Sequence, residues 1–144
     1  MFKKILYPTD FSDASKKAIN YLMQLKDAGA KEIIVLHVID EKGISAISRY
    51  GAGGAVEIIG RIEKEAGEEA KKIERKLGQH GLIVKVRIET GIPIKEILNI
   101  EEEEKVSAIV IGSHGKTNLE EMVLGSVSEQ VIRQSKNPVL VIKR

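Results

Sequence analysis

The chain has 144 residues, 42% of them hydrophobic but only 3% aromatic, so its core must be built from Ile, Val, Leu and Ala. Lys and Arg total 23 against 21 Asp and Glu, and the resulting net charge of +2 makes no electrostatic case for nucleic acid. The absence of cysteine excludes disulfides, thiolate zinc sites and thiol catalysis. One domain over 1–144 is expected, long enough to bury a real core. No run approaches the ~20 apolar residues of a membrane span, and the stretch after Met1 is too short for a signal peptide. A soluble, cytoplasmic protein without membrane partners is therefore expected.

Ile5-Leu6-Tyr7 predicts a short first strand, stopped by Pro8, which has no N–H for the ladder. Ser12 suits an N-cap, Ala14, Ala18, Leu22 and Leu25 follow at helical spacing, and Gly29 is placed as the stop. Glu32 to Ile39 is a second strand whose nearly continuous apolar character requires cover on both faces. Residues 41–55 read as irregular because Gly43, Gly51, Gly53 and Gly54 interrupt them, giving either a mobile lid or a surface loop. From Val56 a long helix carries Val56, Ile59, Ile62, Ala66, Ala70, Ile73 and Leu77 on one stripe, and Gly81 ends it.

Leu82 to Glu89 alternates polar and apolar residues, as a strand at a sheet edge does. Gly91-Ile92-Pro93 opens a further helix that packs Ile94, Ile97 and Leu98 inward. The run Glu101 to Glu104 reads as a solvated helix face, since consecutive carboxylates point in different directions and form no metal site. Ala108 to Ile111 is a buried strand, Val127, Val131 and Ile132 belong to a last helix, and Val139 to Ile142 follows Asn137-Pro138 as the last strand. Strict alternation of strand and helix without an internal repeat predicts an α/β, doubly wound, three-layer domain with a five-stranded parallel sheet.

The strand at Ala108 to Ile111 opens into Gly112-Ser113-His114-Gly115, and ten residues after Gly115 stands Gly125-Ser126 at a helix start. Glycines at a strand end, and a glycine at a helix start, can present backbone N–H groups to an anion. No Gly-Lys-Ser/Thr closes a P-loop here, and the spacing of the first two glycines is not that of a dinucleotide fingerprint. Ser126-Val127-Ser128-Glu129 and Thr117-Asn118-Leu119-Glu120 also read as capping boxes.

The pattern Gly112-x2-Gly115-x9-Gly125-Ser126 resembles the nucleotide motif of the ATP-binding branch of the universal stress protein family. Tyr7-Pro8-Thr9-Asp10-Phe11-Ser12, Leu36-His37-Val38-Ile39-Asp40 and the closing Asn137 to Ile142 fit the same family. The likeness spans nearly the whole chain, with 43–60, expected to be a flexible loop, the least characteristic part. It implies a Rossmann-like sheet of order 3-2-1-4-5, in which the ends of strands 1 and 4 flank a crevice.

By that resemblance Asp10 holds adenine or ribose, Val38 supplies backbone hydrogen bonds to adenine, and Pro8 and Thr9 shape the same wall. Gly112, Ser113, His114, Gly115 and Lys116, with Gly125, Ser126, Val127 and Ser128, surround the phosphates. ATP is the implied ligand, with Mg²⁺ or Mn²⁺ held mainly through phosphates and water. A nucleotide-dependent switch or stress-response module with at most slow ATP hydrolysis follows, alongside a homodimer through 139–142 and an unidentified protein partner. The alternatives are a partner-activated ATPase and a nucleotide-free interaction module. His114 reads as a positioning residue rather than a catalytic base, and His37 and His80 as structural.

Overall fold

The computed structural model describes residues 2–50, 54–114 and 124–143. In chain order it comprises β1 (Lys4–Pro8), α1 (Asp13–Leu25), β2 (Glu32–Asp40), α2 (Glu41–Tyr50) and α3 (Ala55–Gln79). Then come β3 (Ile83–Gly91), α4 (Pro93–Glu103), β4 (Ala108–Gly112), α5 (Ser126–Gln134) and β5 (Val139–Ile142). The five strands form one parallel sheet in the order β3-β2-β1-β4-β5. Order and class are those expected from the sequence.

The two-residue period of the strands divides the core into two aliphatic layers. Ile5, Ile33, Val35 and Val110 face α1 and α3, where they meet Ala18, Leu22, Ile73 and Leu77. Leu6, Ile34, Leu36, Ile109 and Ile111 face α4 and α5, where they meet Ile97, Ile100 and Val131. Both faces of β1, β2 and β4 are thus covered, which is why those strands are apolar throughout. Local signals end the helices as expected: Ser12 Oγ accepts from Ser15 N at 3.3 Å, and Gly29 and Gly81 take φ of 104° and 82°.

Three expectations change. Residues 41–50, read as irregular, form α2. Gly43 costs such a helix roughly 1 kcal/mol, but Ile44 and Ile47 lie one turn apart and face the same hollow. Ser126 does not act as an N-cap. Gly125 takes that position, and the helix start has no side-chain cap.

The glutamate run is the third correction, because only Glu102 and Glu103 are exposed. Glu101 and Glu104, three residues apart on one helix face, are 5% and 8% exposed. One oxygen of Glu101 accepts from Ser135 Oγ (2.6 Å), Asn137 Nδ2 (2.8 Å) and the N–H groups of Lys136 and Asn137 (3.1 Å each). It thereby fixes the turn into β5. Glu104 bridges Lys85, Lys4 (3.2 Å) and Arg87 (3.1 Å), tying β1 and β3 to the end of α4.

Hydrogen bonding from Lys85 first, then from Lys4 and Arg87, holds the Glu104 carboxyl at about 2, far below its ordinary 4.5. A folded-state value below the unfolded one stabilises the protein above about pH 4.5 and loses that effect as pH falls toward 2. Glu104→Gln is therefore expected to cost about 1–3 kcal/mol at pH 7. In urea unfolding at both pH values, the gap from wild type should close at pH 2. A gap that persists there would mean that Glu104 acts through packing rather than charge.

Candidate functional site

At the carboxyl edge of the sheet, where the chain turns one way from β1 and the other way from β4, lies a crevice of about 800 Å³. One end is polar. Pro8, Thr9 and Asp10 come from the end of β1, Gly112 and His114 from the end of β4, and Gly125 to Ser128 from the start of α5. The other end is mainly aliphatic, formed by Ile39 of β2, Ile44 and Ile47 of α2, Ile62 of α3, and Pro93 and Ile97 of α4, with Asp40 of β2 also in the lining. Val38 lies on the wall between them.

The β1 end is braced by a buried hydrogen-bond network. Tyr7 donates its hydroxyl to Ser15 O (2.6 Å), Ser15 Oγ donates to Thr9 Oγ1 (2.6 Å), and Phe11 N donates to the same Thr9 oxygen (3.0 Å). Burial raises the Tyr7 hydroxyl above its ordinary 10.0, so it stays protonated and remains a donor. Thr9 N extends the ladder to Leu36 O at 2.8 Å. Phe11 adopts φ of 63°, an unusual backbone for a residue with a side chain, and its ring stacks on His37 with centroids 4.5 Å apart. His37 Nδ1 donates to Thr9 O at 2.8 Å. Asp10 Oδ1 accepts from Ser12 N at 2.9 Å, which sets the turn into α1.

The β4 end is knitted to α5. Gly125 N donates to Ser113 O (2.8 Å), Ser128 Oγ donates to Gly112 O (2.7 Å), and Ser113 N donates to Ile142 O (2.8 Å). The first helical acceptor in α5 is Gly125 O, reached by Glu129 N. The N–H groups of Ser126, Val127 and Ser128 therefore lack helical acceptors and form a positive end beside the crevice. Ser113 Oγ lies 2.6 Å from His114 Nδ1, and His114 Nε2 is buried without a hydrogen-bond partner among the described residues.

Of the residues expected at the site, Pro8, Thr9, Asp10, Val38, Gly112, His114, Gly125, Ser126, Val127 and Ser128 all line this one crevice. Ser113 stands behind the wall, 2% exposed and held in the β4 network. Gly115 and Lys116, like the box at Thr117 to Glu120, lie outside the described residues. Gly112 also has another reason to be glycine than freedom of φ. A Cβ there would sit 2.9 Å from Ser15 N and 3.1 Å from the carbonyl carbon of Ala14, so α1 could not approach. Sequence reasoning missed the aliphatic end, although the three-residue spacing of Ile44 and Ile47 signals a helix with an inward face.

Such a crevice suits an amphiphilic molecule with a flat apolar part and an anionic part. Residues 1–143 match the Universal stress protein family. Universal stress protein MJ0577 of Methanocaldococcus jannaschii is 42% identical over 156 residues, covering 100% of this chain and 96% of that protein. YxiE of Bacillus subtilis, also a universal stress protein, is 36% identical over 148 residues, covering 99% and 100%. The solved structure of MJ0577 has a TM-score of 0.90 at 45% identity, covering 100% of this chain and 97% of that one. A universal stress protein from Archaeoglobus fulgidus in complex with dAMP shares the fold, with a TM-score of 0.66 at 21% identity over 99% and 98% of the two chains. On sequence and architecture together, the chain belongs to the universal stress protein family.

Proposed function

We propose that the chain binds an adenine nucleotide, ATP with Mg²⁺ or Mn²⁺, and acts as a nucleotide-dependent switch in a stress response. The observation that carries this reading is the pairing of an uncapped α5 N-terminus with an aliphatic hollow in one crevice. The phosphates lie against the N–H groups of Ser126, Val127 and Ser128, where the helix end favours negative charge. The base lies toward Ile39, Ile44 and Ile62, with the backbone at Val38 reading its edge and Asp10 on the ribose side. The metal is held through the phosphates and water rather than by a cage of carboxylates. Relatives of this fold have been solved with dAMP and with cAMP. At 21% and 23% identity they speak for the fold, and the case for this chain rests on its own crevice.

A switch is favoured over a fast hydrolase because the sequence carries no Walker lysine and no arginine within the glycine motif from Gly112 to Ser126 to stabilise a transferring phosphoryl group. Gly125 provides the test of the cradle. Its φ of −63° and ψ of 151° are open to any residue, so Gly125→Val can fold while its side chain enters the crevice. ATP affinity in isothermal titration is expected to fall at least about tenfold (~1.4 kcal/mol) with the unfolding midpoint retained. Unchanged affinity would show that the phosphates lie elsewhere.

The assembly proposed is a homodimer through β5. The two sheet edges differ. β3 carries Lys85, Arg87 and Glu89, charges that discourage another strand. β5 has no charge within Val139 to Ile142, and Leu140 is 42% exposed. Antiparallel pairing of β5 with a second copy across a two-fold axis would satisfy its outer edge. Sedimentation equilibrium at micromolar concentration should find a dimer, and Leu140→Lys, a charge on that edge, should shift it toward monomer. A monomeric wild type, or a variant that stays dimeric, would contradict this assembly.

A further inference from the structure

We infer that α2 is the moving part of the proposed switch: the nucleotide's base, by covering Ile44 and Ile47, holds residues 41–50 in their helical form against the crevice. The inference rests on the nucleotide reading above and adds the element through which occupancy is reported.

Local signals start α2, but little in its own sequence sustains it. It follows β2 without an intervening residue, and Asp40 Oδ1 accepts from Lys42 N at 3.0 Å, which caps the first turn. Glu41 in that turn and Arg49 in the last suit the helix dipole. Inside the helix stand Gly43, Ser45 and Ser48, all weaker helix formers than alanine. Its 10 residues are also fewer than the roughly 12–15 that an isolated helix needs in water. The helix therefore depends on what it packs against.

That support is slight on the protein's side. α1, α4 and α5 bury Leu22, Ile97 and Val131 in the aliphatic layers. From Glu41 to Ile47 no side chain is buried: Ile44 and Ile47 are half-buried, and the other five residues are exposed. Neither isoleucine belongs to either layer, and both line the crevice together with Ile39 and Ile62. The apolar stripe of α2 thus faces the ligand's space rather than the core, and a flat base laid there removes it from water. A segment of low intrinsic stability whose apolar face is completed by a ligand is ordered by that ligand, and the ligand's affinity carries the cost of the ordering. Once formed, the helix presents Glu41, Lys42, Ser45 and Arg49 to solvent, a polar face assembled only with the base in place.

Hydrogen–deuterium exchange of the wild type tests this without a substitution. The amides of 45–50 should exchange faster than those of α1 in the free protein. Saturating ATP–Mg²⁺ should slow them at least about tenfold, saturating adenosine should do the same, and tripolyphosphate should not. Ala46 is exposed and outside the crevice lining, so Ala46→Gly weakens the helix without touching the ligand. In isothermal titration that variant should lose roughly two- to fivefold in affinity, by the same factor for ATP and for adenosine. ATP binding that leaves exchange at 45–50 unchanged would overturn the inference alone. So would protection by tripolyphosphate, or an Ala46→Gly that binds ATP as the wild type does. A wild type that binds neither ATP nor adenosine would overturn the nucleotide reading and this role together.

Discussion

The arrangement of the carboxyl edge depends on how closely three backbone segments meet at Gly112. On one side a Cβ at that position would collide with Ser15 N at 2.9 Å, so α1 rests directly on the end of β4. On the other side Gly112 O accepts Ser128 Oγ at 2.7 Å, which draws the first turn of α5 onto the same residue. Two helix N-termini thus converge on one strand end. Ser12 Oγ, reaching His114 O at 3.4 Å, links the cap of α1 to the residue after Ser113. The closeness is steric in origin, and its consequence is electrostatic: backbone N–H groups gather where an anion can use them.

Around that point the fold divides its work between apolar packing and two buried carboxylates. The aliphatic layers hold α1 and α3 on one face of the sheet and α4 and α5 on the other, but burial alone does not choose strand register or loop path. Glu101 and Glu104 do that at the amino end of the sheet, the first fixing the entry to β5 and the second joining β1 to β3. These ties lie opposite the crevice, so the rigid end and the ligand-facing end are separate. The β1 turn has its own bracing through Tyr7, Ser15 and Thr9, which keeps Asp10 and the strained Phe11 in place.

Much of this was legible in the sequence, for a physical reason. Strands buried on both faces must be continuously apolar, and helices that cover them must show a stripe, so the order of elements could be read directly. The glycine and hydroxyl residues of the crevice were legible through family likeness more than through their own chemistry. What escaped was anything decided by tertiary contact. α2 was hidden because glycine content argues against a helix, while the hollow that Ile44 and Ile47 cover is not visible locally. Glu101 and Glu104 were read as solvated because their partners, Ser135, Asn137, Lys85, Lys4 and Arg87, are distant in the chain. Ser126 matched a capping box, but Gly125 N is already bonded to Ser113 O, which moves the cap back by one residue.

The central claim is that one crevice divides into a phosphate end at α5 and a base end beneath α2. Backbone amide shifts measured by NMR during titration with ATP–Mg²⁺ and, separately, with adenosine test it most directly. The account predicts that Val38 and Ile44 respond to both ligands, whereas Ser126, Val127 and Ser128 respond strongly only to ATP. Equal responses at α5 to both ligands, or an ATP response centred away from the crevice, would contradict it.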